Sequence, residues 1–407
     1  MSHSRHRPLY NFKFLLIIFL IIVIGLAMLS YSRPLPPIYP TSKTISSQVS
    51  VPSPIDWPNG QEAAIGATAY GILATHGLQK QVPIASVAKL ITALTILQKY
   101  PLTISQLQTP IITLTNADVA IYNQYVAQQG SVVKVTSGEQ LSEYQALEAM
   151  LIPSANNMAD SLAIWAFGSL PNYILAANQY IKSIGLTQTT IGTDASGFLP
   201  STTSTAHDLI MIGFQALNNP VIAQIVGQTQ VNLPVAGVVK NFDWLLGNNG
   251  IIGIKTGNTT QAGGVYVFAA NDTIGNPSSK VEIVGSIVGT ATLQDALNDT
   301  VPFLNSIKND FYLATIVGSH ETVGTYKIPW VNTVSAISQT SIISPLWKGM
   351  SLRPIVSLQA LYAPVNSNVS VGIVEAPGQN TNNKSVVELQ QSIPAAPWWW
   401  RIVRHKL

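Results

Sequence analysis

The sequence predicts an α+β protein, in which a larger domain of antiparallel sheet and helices precedes a smaller β-rich domain. Three observations predict it. β-Like runs lie at Ala63 to Leu73 and from Gly250 to Val288, at the two ends of one region. The stretch between them is dominated by apolar helical patterns. From about Phe303 onward the text changes to short β-branched runs separated by Pro, Gly and Asn.

At 407 residues the chain has room for two domains and extensions. Only 10% of residues are charged and the mean hydropathy is positive, an apolar bias for a purely soluble protein. A net charge of +3, with no long basic stripe, argues against nucleic acid as a partner. There is no cysteine, which excludes disulfides, thiolate metal sites and Cys nucleophiles. The six His residues are scattered and form no His-Glu-x-x-His, so a zinc hydrolase is not expected, and the serine chemistry expected of the chain needs no metal or organic cofactor.

The N-terminus accounts for the bias. Arg5, Arg7 and Lys13 precede an uninterrupted apolar run from Phe14 to Leu29. The run is a little short of the ~20 residues of an ideal span and longer than the ~7–15 of a signal-peptide core. Positive charge ahead of it places residues 1–32 as a cytoplasmic tip and membrane anchor, with everything after it outside the cytoplasm. Ser30-Tyr31-Ser32 offers a small-x-small cleavage site, so a secreted form stays open. Residues 33–60, with Pro34, Pro36, Pro37, Pro40, Pro52, Pro54 and Pro58, read as a semi-rigid linker.

The first domain is expected over residues 61–300. Pro83 precedes a helix beginning near Ser86, whose Leu90, Ile91, Leu94 and Leu97 recur at helical spacing. It is apolar nearly all round, as a central buried helix would be, and Lys89 lies one turn from Ser86 on the same face. Alternation marks Ser131 to Thr136 as a half-buried strand, and Ser142 to Met150 reads as a helix. Pro153 to Asn157 forms a cap cluster before a helix over Met158 to Phe167. Gly250 to Gly257, Val265 to Ala269 and Val281 to Val288 read as strands, and Ala291 to Ile307 as a helix.

A hydroxyl and an amine at the start of a buried helix suggest a nucleophile and its base. Spacing alone does not decide, because Ser131 and Lys134 repeat the Ser-x-x-Lys pattern. Taken singly, Ser154-Ala155-Asn156 reads as a helix cap and Lys255-Thr256-Gly257 as a strand-ending turn. Asp194 with Ser196-Gly197 reads as a structural turn, His207 as a helix-start residue and His76 as a loop residue.

Ser86-Val87-Ala88-Lys89, Ser154-Ala155-Asn156 and Lys255-Thr256-Gly257 stand in the order of the known penicillin-binding-protein and serine β-lactamase signature. The chain resembles the low-molecular-mass penicillin-binding proteins, the serine D-alanyl-D-alanine carboxypeptidases. Asp194 to Gly197, Ser204 to Leu209 and Lys255 to Gly263 also look like that family. The likeness spans roughly residues 60–300. It implies the β-lactamase-like catalytic fold, with a small β domain behind it. It also implies a hydrolase that acylates Ser86 with the penultimate D-Ala of a peptidoglycan stem peptide. Lys89 would be the general base, with Ser154 and Asn156 completing the catalytic network. Lys255, Thr256, Gly257 and Thr259 would bind substrate, and the backbone amides of Ser86 and Asn258 would hold the oxyanion. β-Lactam antibiotics would be covalent inhibitors.

A free lysine, with pKa ~10.4, is too fully protonated to serve as a base. A second ammonium about 4 Å away repels it by about 4 kcal/mol at an effective dielectric near 20, equivalent to about three pKa units. Lys255 is the expected source of that repulsion. The helix start at Ser86 adds partial positive charge where the oxyanion forms.

Two departures from the family pattern stand out. Ala155 replaces the usual Gly or Asp. No Arg lies between Arg33 and Arg353, although the family commonly places one on the strand after the Lys-Thr-Gly strand. Aligning Val281 to Gly289 with that strand puts the position near Glu282, close to Lys280. D,D-Endopeptidase activity is therefore an alternative. No Glu occurs between Glu148 and Glu282 to activate a deacylating water, so only weak β-lactamase activity is expected. A receptor for β-lactams or muropeptides is the non-catalytic alternative.

Residues 301–395 are expected to form the β-rich domain, with runs at Tyr312 to Val317, Thr322 to Val331, Val356 to Leu361, Val369 to Val374 and Ser385 to Leu389. Residues 396–407 combine Trp398, Trp399 and Trp400 with Arg401, Arg404, His405 and Lys406. Such a tail fits either a membrane interface or docking on the β domain.

Overall fold

The structure, a computed structural model, describes residues 8–46, 50–275, 279–377 and 383–404. Arg5, Arg7, His405 and Lys406 lie outside the described residues. The chain divides into two units, one of Val51–Tyr312 with Trp347–Gly349 and one of Met1–Ser50, Leu313–Leu346 and Met350–Leu407.

The larger unit is built on a five-stranded antiparallel sheet. Its spatial order is Ile251–Thr259, Gly263–Ile274, Ser279–Thr290, Glu62–Ala67 and Gly71–His76. The expected strand at Ala63 to Leu73 is a hairpin, because the chain reverses at Tyr70-Gly71, where Gly71 has φ +77°. His76 therefore ends a strand, stacked on Trp57 with centroids 5.1 Å apart.

Alternation along the strands divides the sheet's two faces. Val267, Val284 and Ser286 face helix Ala206–Asn218, where a Cβ on Gly213 would come within 2.7 Å of Val284. Phe268 faces the other way, edge-on to Phe303 of helix Leu293–Lys308. That helix buries Ala296, Leu297, Phe303, Leu304 and Ile307, so the unit runs past the boundary expected at residue 300.

A helical layer completes the unit. Helix Ala88–Lys99 is buried at every position from Ala88 to Leu97, as its all-round apolar pattern requires. Glu143–Leu151, Asn156–Phe167 and Leu170–Ser183 pack round it in one continuous apolar core. The segment Ser131 to Thr136 keeps the expected alternation, with Val133 and Val135 buried and Lys134 exposed, but joins no sheet. The Asn157 side chain takes the place of a neighbouring strand, bonding both the NH (3.0 Å) and the carbonyl (2.9 Å) of Val133.

In the smaller unit, Pro8–Ser32 is one helix. Its segment Phe12–Ser32 is long and apolar enough to cross a membrane. The six-stranded sheet has the order Pro40–Ser42, Thr322–Tyr326, Val334–Ser338, Lys384–Leu389, Ser370–Glu375 and Ile355–Leu358. Part of the expected linker is thus structural, since Pro40–Ser42 pairs with Gly324–Tyr326 as an edge strand and Ile38 bridges to Leu361. A proline is tolerated there because an edge strand can spare one ladder NH.

Candidate active site

Ser86 sits in a 3₁₀ turn, Ala85–Val87, that leads directly into helix Ala88–Lys99. Two close approaches hold the turn. Gly197, at φ +70°, lies against the Ala85 carbonyl and the Ala88 methyl, leaving no room for a side chain. Gly257 lies against the other side, where an added Cβ would be 3.1 Å from the Ser86 amide nitrogen and from the Ile84 carbonyl. Ala85 itself takes φ +46°, a left-handed conformation unusual for a residue with a side chain.

Lys89, one turn further on, is completely buried. Its Nζ lies 2.8 Å from Ser86 Oγ, 2.8 Å from Asn156 Oδ1 and 3.0 Å from the Ser196 carbonyl oxygen. Lys255, buried on the edge strand Ile251–Thr259, donates to Ser154 Oγ at 3.0 Å and to the Thr256 carbonyl at 2.9 Å. Ser154 is held at φ +60° and helix Asn156–Phe167 has no side-chain cap. The reading of Ser154 to Asn156 as a helix cap therefore fails, because both polar side chains turn to the two lysines instead.

Burial pushes the Lys89 amine well below the ordinary lysine range, and the Lys255 charge pushes it further the same way. Asp194 and Asp160 pull in the opposite direction. Lys255 is itself lowered to about 7 by burial, against the attraction of Asp243. The repulsion expected from Lys255 is present, but desolvation is the larger cause.

Thr256 and Gly257 are buried, Thr259 is half-buried and Asn258 is exposed at the open end of the strand. The structure thus brings Ser86, Lys89 and Asn156 together in one cluster and Ser154 and Lys255 in a second, joined by the interaction between the two lysines. The other Ser-x-x-Lys contributes no side chain to it: Lys134 is exposed to solvent, and Ser131 meets the cluster through its carbonyl, which accepts from the Asn156 amide at 2.7 Å.

Tyr125, Asp160, Asp243 and Tyr266 complete the setting without having been foreseen, beside the Asp194 turn that was. Asp160 accepts from Tyr125 Oη at 2.7 Å and from the Ala195 amide at 2.9 Å. Asp194 accepts from the Ser196 amide (2.8 Å) and hydroxyl (2.6 Å) and from the amides of Phe198 and Leu199. The turn read as structural is therefore what presents the Ser196 carbonyl to Lys89. Asp243 accepts from Tyr266 Oη at 2.7 Å. Asp160 left one signal, an acid inside an otherwise apolar helix, whereas nothing in the sequence marks Tyr125.

The alignment that placed Glu282 and Lys280 near the substrate carboxylate is corrected by the sheet register. The strand next to Ile251–Thr259 is Gly263–Ile274, and Val281 to Gly289 lies on the strand beyond it. Ser286 is level with Lys255 through Val267, so Glu282 is four residues away along the strand, about 13 Å. Level with Asn258 are Gly264 and Thr290.

A hydroxyl held against a buried amine whose pKa is lowered by burial, facing a sheet edge across a narrow gap, is the arrangement of a serine hydrolase. The match of a D-alanyl-D-alanine carboxypeptidase family model to residues 52–281, more than half of the chain, makes this chain a member of that family. The chain is 34% identical over 144 residues to D-alanyl-D-alanine carboxypeptidase DacB2 of Mycobacterium tuberculosis, covering 34% of this chain and 49% of the relative. It is 26% identical over 266 residues to DacC of Escherichia coli, covering 63% and 64% respectively. It thus spans less than two thirds of the length of either curated relative. Penicillin binding protein 5 from Haemophilus influenzae shares the fold, with a TM-score of 0.59 at 18% identity over 84% of this chain and 99% of that one.

Proposed function

We propose that the chain is a serine D,D-carboxypeptidase that removes the terminal D-Ala from peptidoglycan stem peptides. The observation that carries the reading is the 2.8 Å contact between Ser86 Oγ and a Lys89 amine whose pKa is lowered by burial. Neutral Lys89 accepts the Ser86 proton as Oγ attacks the carbonyl carbon of the penultimate D-Ala. The negative charge that develops on the carbonyl oxygen is met by the Ser86 and Asn258 amides and by the helix start.

Collapse of the tetrahedral species breaks the peptide bond. The proton passes from Lys89 to the departing D-Ala amine, with Ser154 as the relay beside Lys255. Asn156 holds Lys89 and the substrate amide, while Thr256, Gly257 and Thr259 line the edge along which the peptide lies. Water then hydrolyses the Ser86 ester. β-Lactams would stop at the acyl stage as covalent inhibitors. The Phe12–Ser32 helix would anchor the enzyme as a single span with residues beyond it outside the cytoplasm, which supports access to cell-wall substrate.

The test is labelling with a reporter penicillin, followed by release of D-Ala from a synthetic pentapeptide. Labelling that disappears in Ser86→Ala, with D-Ala released only by the wild type, is expected. Labelling that survives in Ser86→Ala would overturn the assignment.

A further inference from the structure

Exposure alternates along the chain just ahead of the strand that carries Lys255. Val238, Lys240, Phe242 and Trp244 are exposed, whereas Val239 and Asn241 are half-buried and Asp243 and Leu245 are buried. Val238 and Lys240 belong to the hairpin of Gln230–Leu233 and Gly237–Lys240, in which Gln230 lies opposite Lys240 and Asn232 opposite Val238. Residues paired across antiparallel strands share a face, and Gln230 and Asn232 are exposed on it too. The outer surface of this stretch therefore carries two carboxamides, an ammonium and two aromatic rings. Phe242 and Trp244, 51% and 50% exposed, pack on no other aromatic ring among the described residues.

The inner side of the same stretch fixes it beside the catalytic groups. Asn241 continues the hairpin, its backbone amide donating to the Thr229 carbonyl (2.8 Å) and its side-chain amide to the Gln228 carbonyl (3.0 Å). Asp243, between the two rings, accepts from Tyr266 Oη at 2.7 Å, and Tyr266 is level with Thr256 in the sheet. Its carboxylate also attracts the Lys255 ammonium. The exposed ridge thus starts beside the Lys255–Thr256 part of the substrate edge.

We propose that this ridge holds the glycan of the cell-wall polymer, a chain of N-acetylated amino sugars, while the edge strand holds the stem peptide. The inference rests on the proposed function, which makes peptidoglycan the substrate. Flat aromatic rings cover the apolar C–H face of a pyranose, and Phe and Trp do so at small entropic cost. Carboxamides both donate and accept, as acetamido and hydroxyl groups require, and the Lys240 ammonium adds three donors. A lipid surface would instead strip Gln230, Asn232 and Lys240 of water without replacing it. Continuity with the substrate edge favours a part of the substrate over a separate protein. Reach agrees, because the four residues ahead of the cleaved bond of a pentapeptide span about 13 Å when extended. The first sugar therefore stays within range of a surface that starts at Lys255.

Full-length protein and its variants F242S/W244S and Q230A/N232A test it on two substrates, a free pentapeptide and N-acetylglucosaminyl-N-acetylmuramyl pentapeptide. The wild type should release D-Ala from the sugar-bearing substrate with a KM about tenfold lower than for the free peptide, at the same kcat. That preference should vanish in F242S/W244S and shrink in Q230A/N232A, with melting temperatures held at the wild-type value. Glycan strands freed of peptide should bind the wild type and not F242S/W244S. Equal KM for the two substrates in the wild type, as would follow if the ridge served a protein partner or lipid, overturns the inference. A preference that survives in both variants does the same. So does a loss that falls equally on both substrates, which is what a structural role would give. Failure of the wild type to release D-Ala from either substrate overturns the proposed function and this inference with it, whereas release without a sugar preference overturns the inference alone.

Discussion

Tyr125 donates a 2.7 Å hydrogen bond to Asp160, a buried carboxylate whose other oxygen holds the Ala195 amide. The pair fixes the turn from which Ser196 reaches Lys89. It also puts a negative charge near an amine otherwise pressed only by burial and by Lys255, with Asp194 the other acid in range. Removing the charge in Asp160→Asn should lower the Lys89 pKa further. The rising limb of the penicillin acylation rate should then begin at lower pH than in the wild type. A limb that stays in place while the melting temperature falls would show a purely structural role.

Replacing Lys255 should have the opposite sign. Lys255→Gln removes a like charge, so the Lys89 pKa rises and the acylation limb moves to higher pH. The move should be partial, because burial remains and is the larger cause. Acylation of Ser86 by penicillin measured from pH 5 to 10 checks both direction and size.

Lys89→Ala removes the base itself. Loss of positioned general-base catalysis costs about 10²–10⁴-fold, so acylation should fall by that amount with folding retained. Stopped-flow or time-resolved labelling gives the rate, and circular dichroism the fold.

Stability should depend on pH in two windows of opposite sign. Lys255 has its folded value lowered to about 7, so the unfolded chain binds more protons between there and the ordinary lysine range. That contribution makes the catalytic unit more stable as pH rises through the window. Glu143 is fully buried with neither carboxyl oxygen partnered, and burial raises it from 4.5 to about 8. The folded chain binds more protons in that interval, so stability is lost as pH climbs from about 4.5 to 8. Glu143→Met should therefore stabilise, most at the upper end. Denaturant titrations of wild type and variant at pH 5, 8 and 10 measure both slopes.

Gly257→Ala tests the gap between strand and nucleophile. The added methyl would lie 3.1 Å from Ala85 Cβ, the Ile84 carbonyl and the Ser86 amide, so the turn must give by a few tenths of an ångström. Small displacements of catalytic groups can cost up to about 10²-fold in rate. A tenfold or greater fall in labelling rate, with the melting temperature nearly unchanged, is the expected result.

The legible parts of this molecule were those written locally. The buried helix, the strands Ile251–Thr259 and Ser279–Thr290 and the three short motifs each carry their own periodicity or side-chain chemistry. What escaped depended on distant partners. Tyr125 and Asp160 are 35 residues apart and meet only through packing. Pro40–Ser42 is a strand because residues 322–326 offer it an edge, not because its own residues favour one. Helix Asn116–Ala127 lacks an apolar stripe, burying only Tyr125 among its residues, and so gave no periodic signal. The ranking of burial above Lys255 as the cause of the Lys89 shift also required depth, which sequence spacing does not encode.

The strand carrying Lys255 to Thr259 closes one side of the five-stranded sheet, with no further strand beside it among the described residues. Edges of this kind tend to recruit foreign strands, and proteins usually blunt them. Here the edge ends in Gly257, Asn258 and Thr259, small or neutral residues without a guarding charge. An extended peptide can therefore dock by main-chain hydrogen bonds alone. Under the proposed function, a chain with no arginine between Arg33 and Arg353 would recognise the backbone of a stem peptide more than its terminal charge, and tolerance of varied stem peptides would follow.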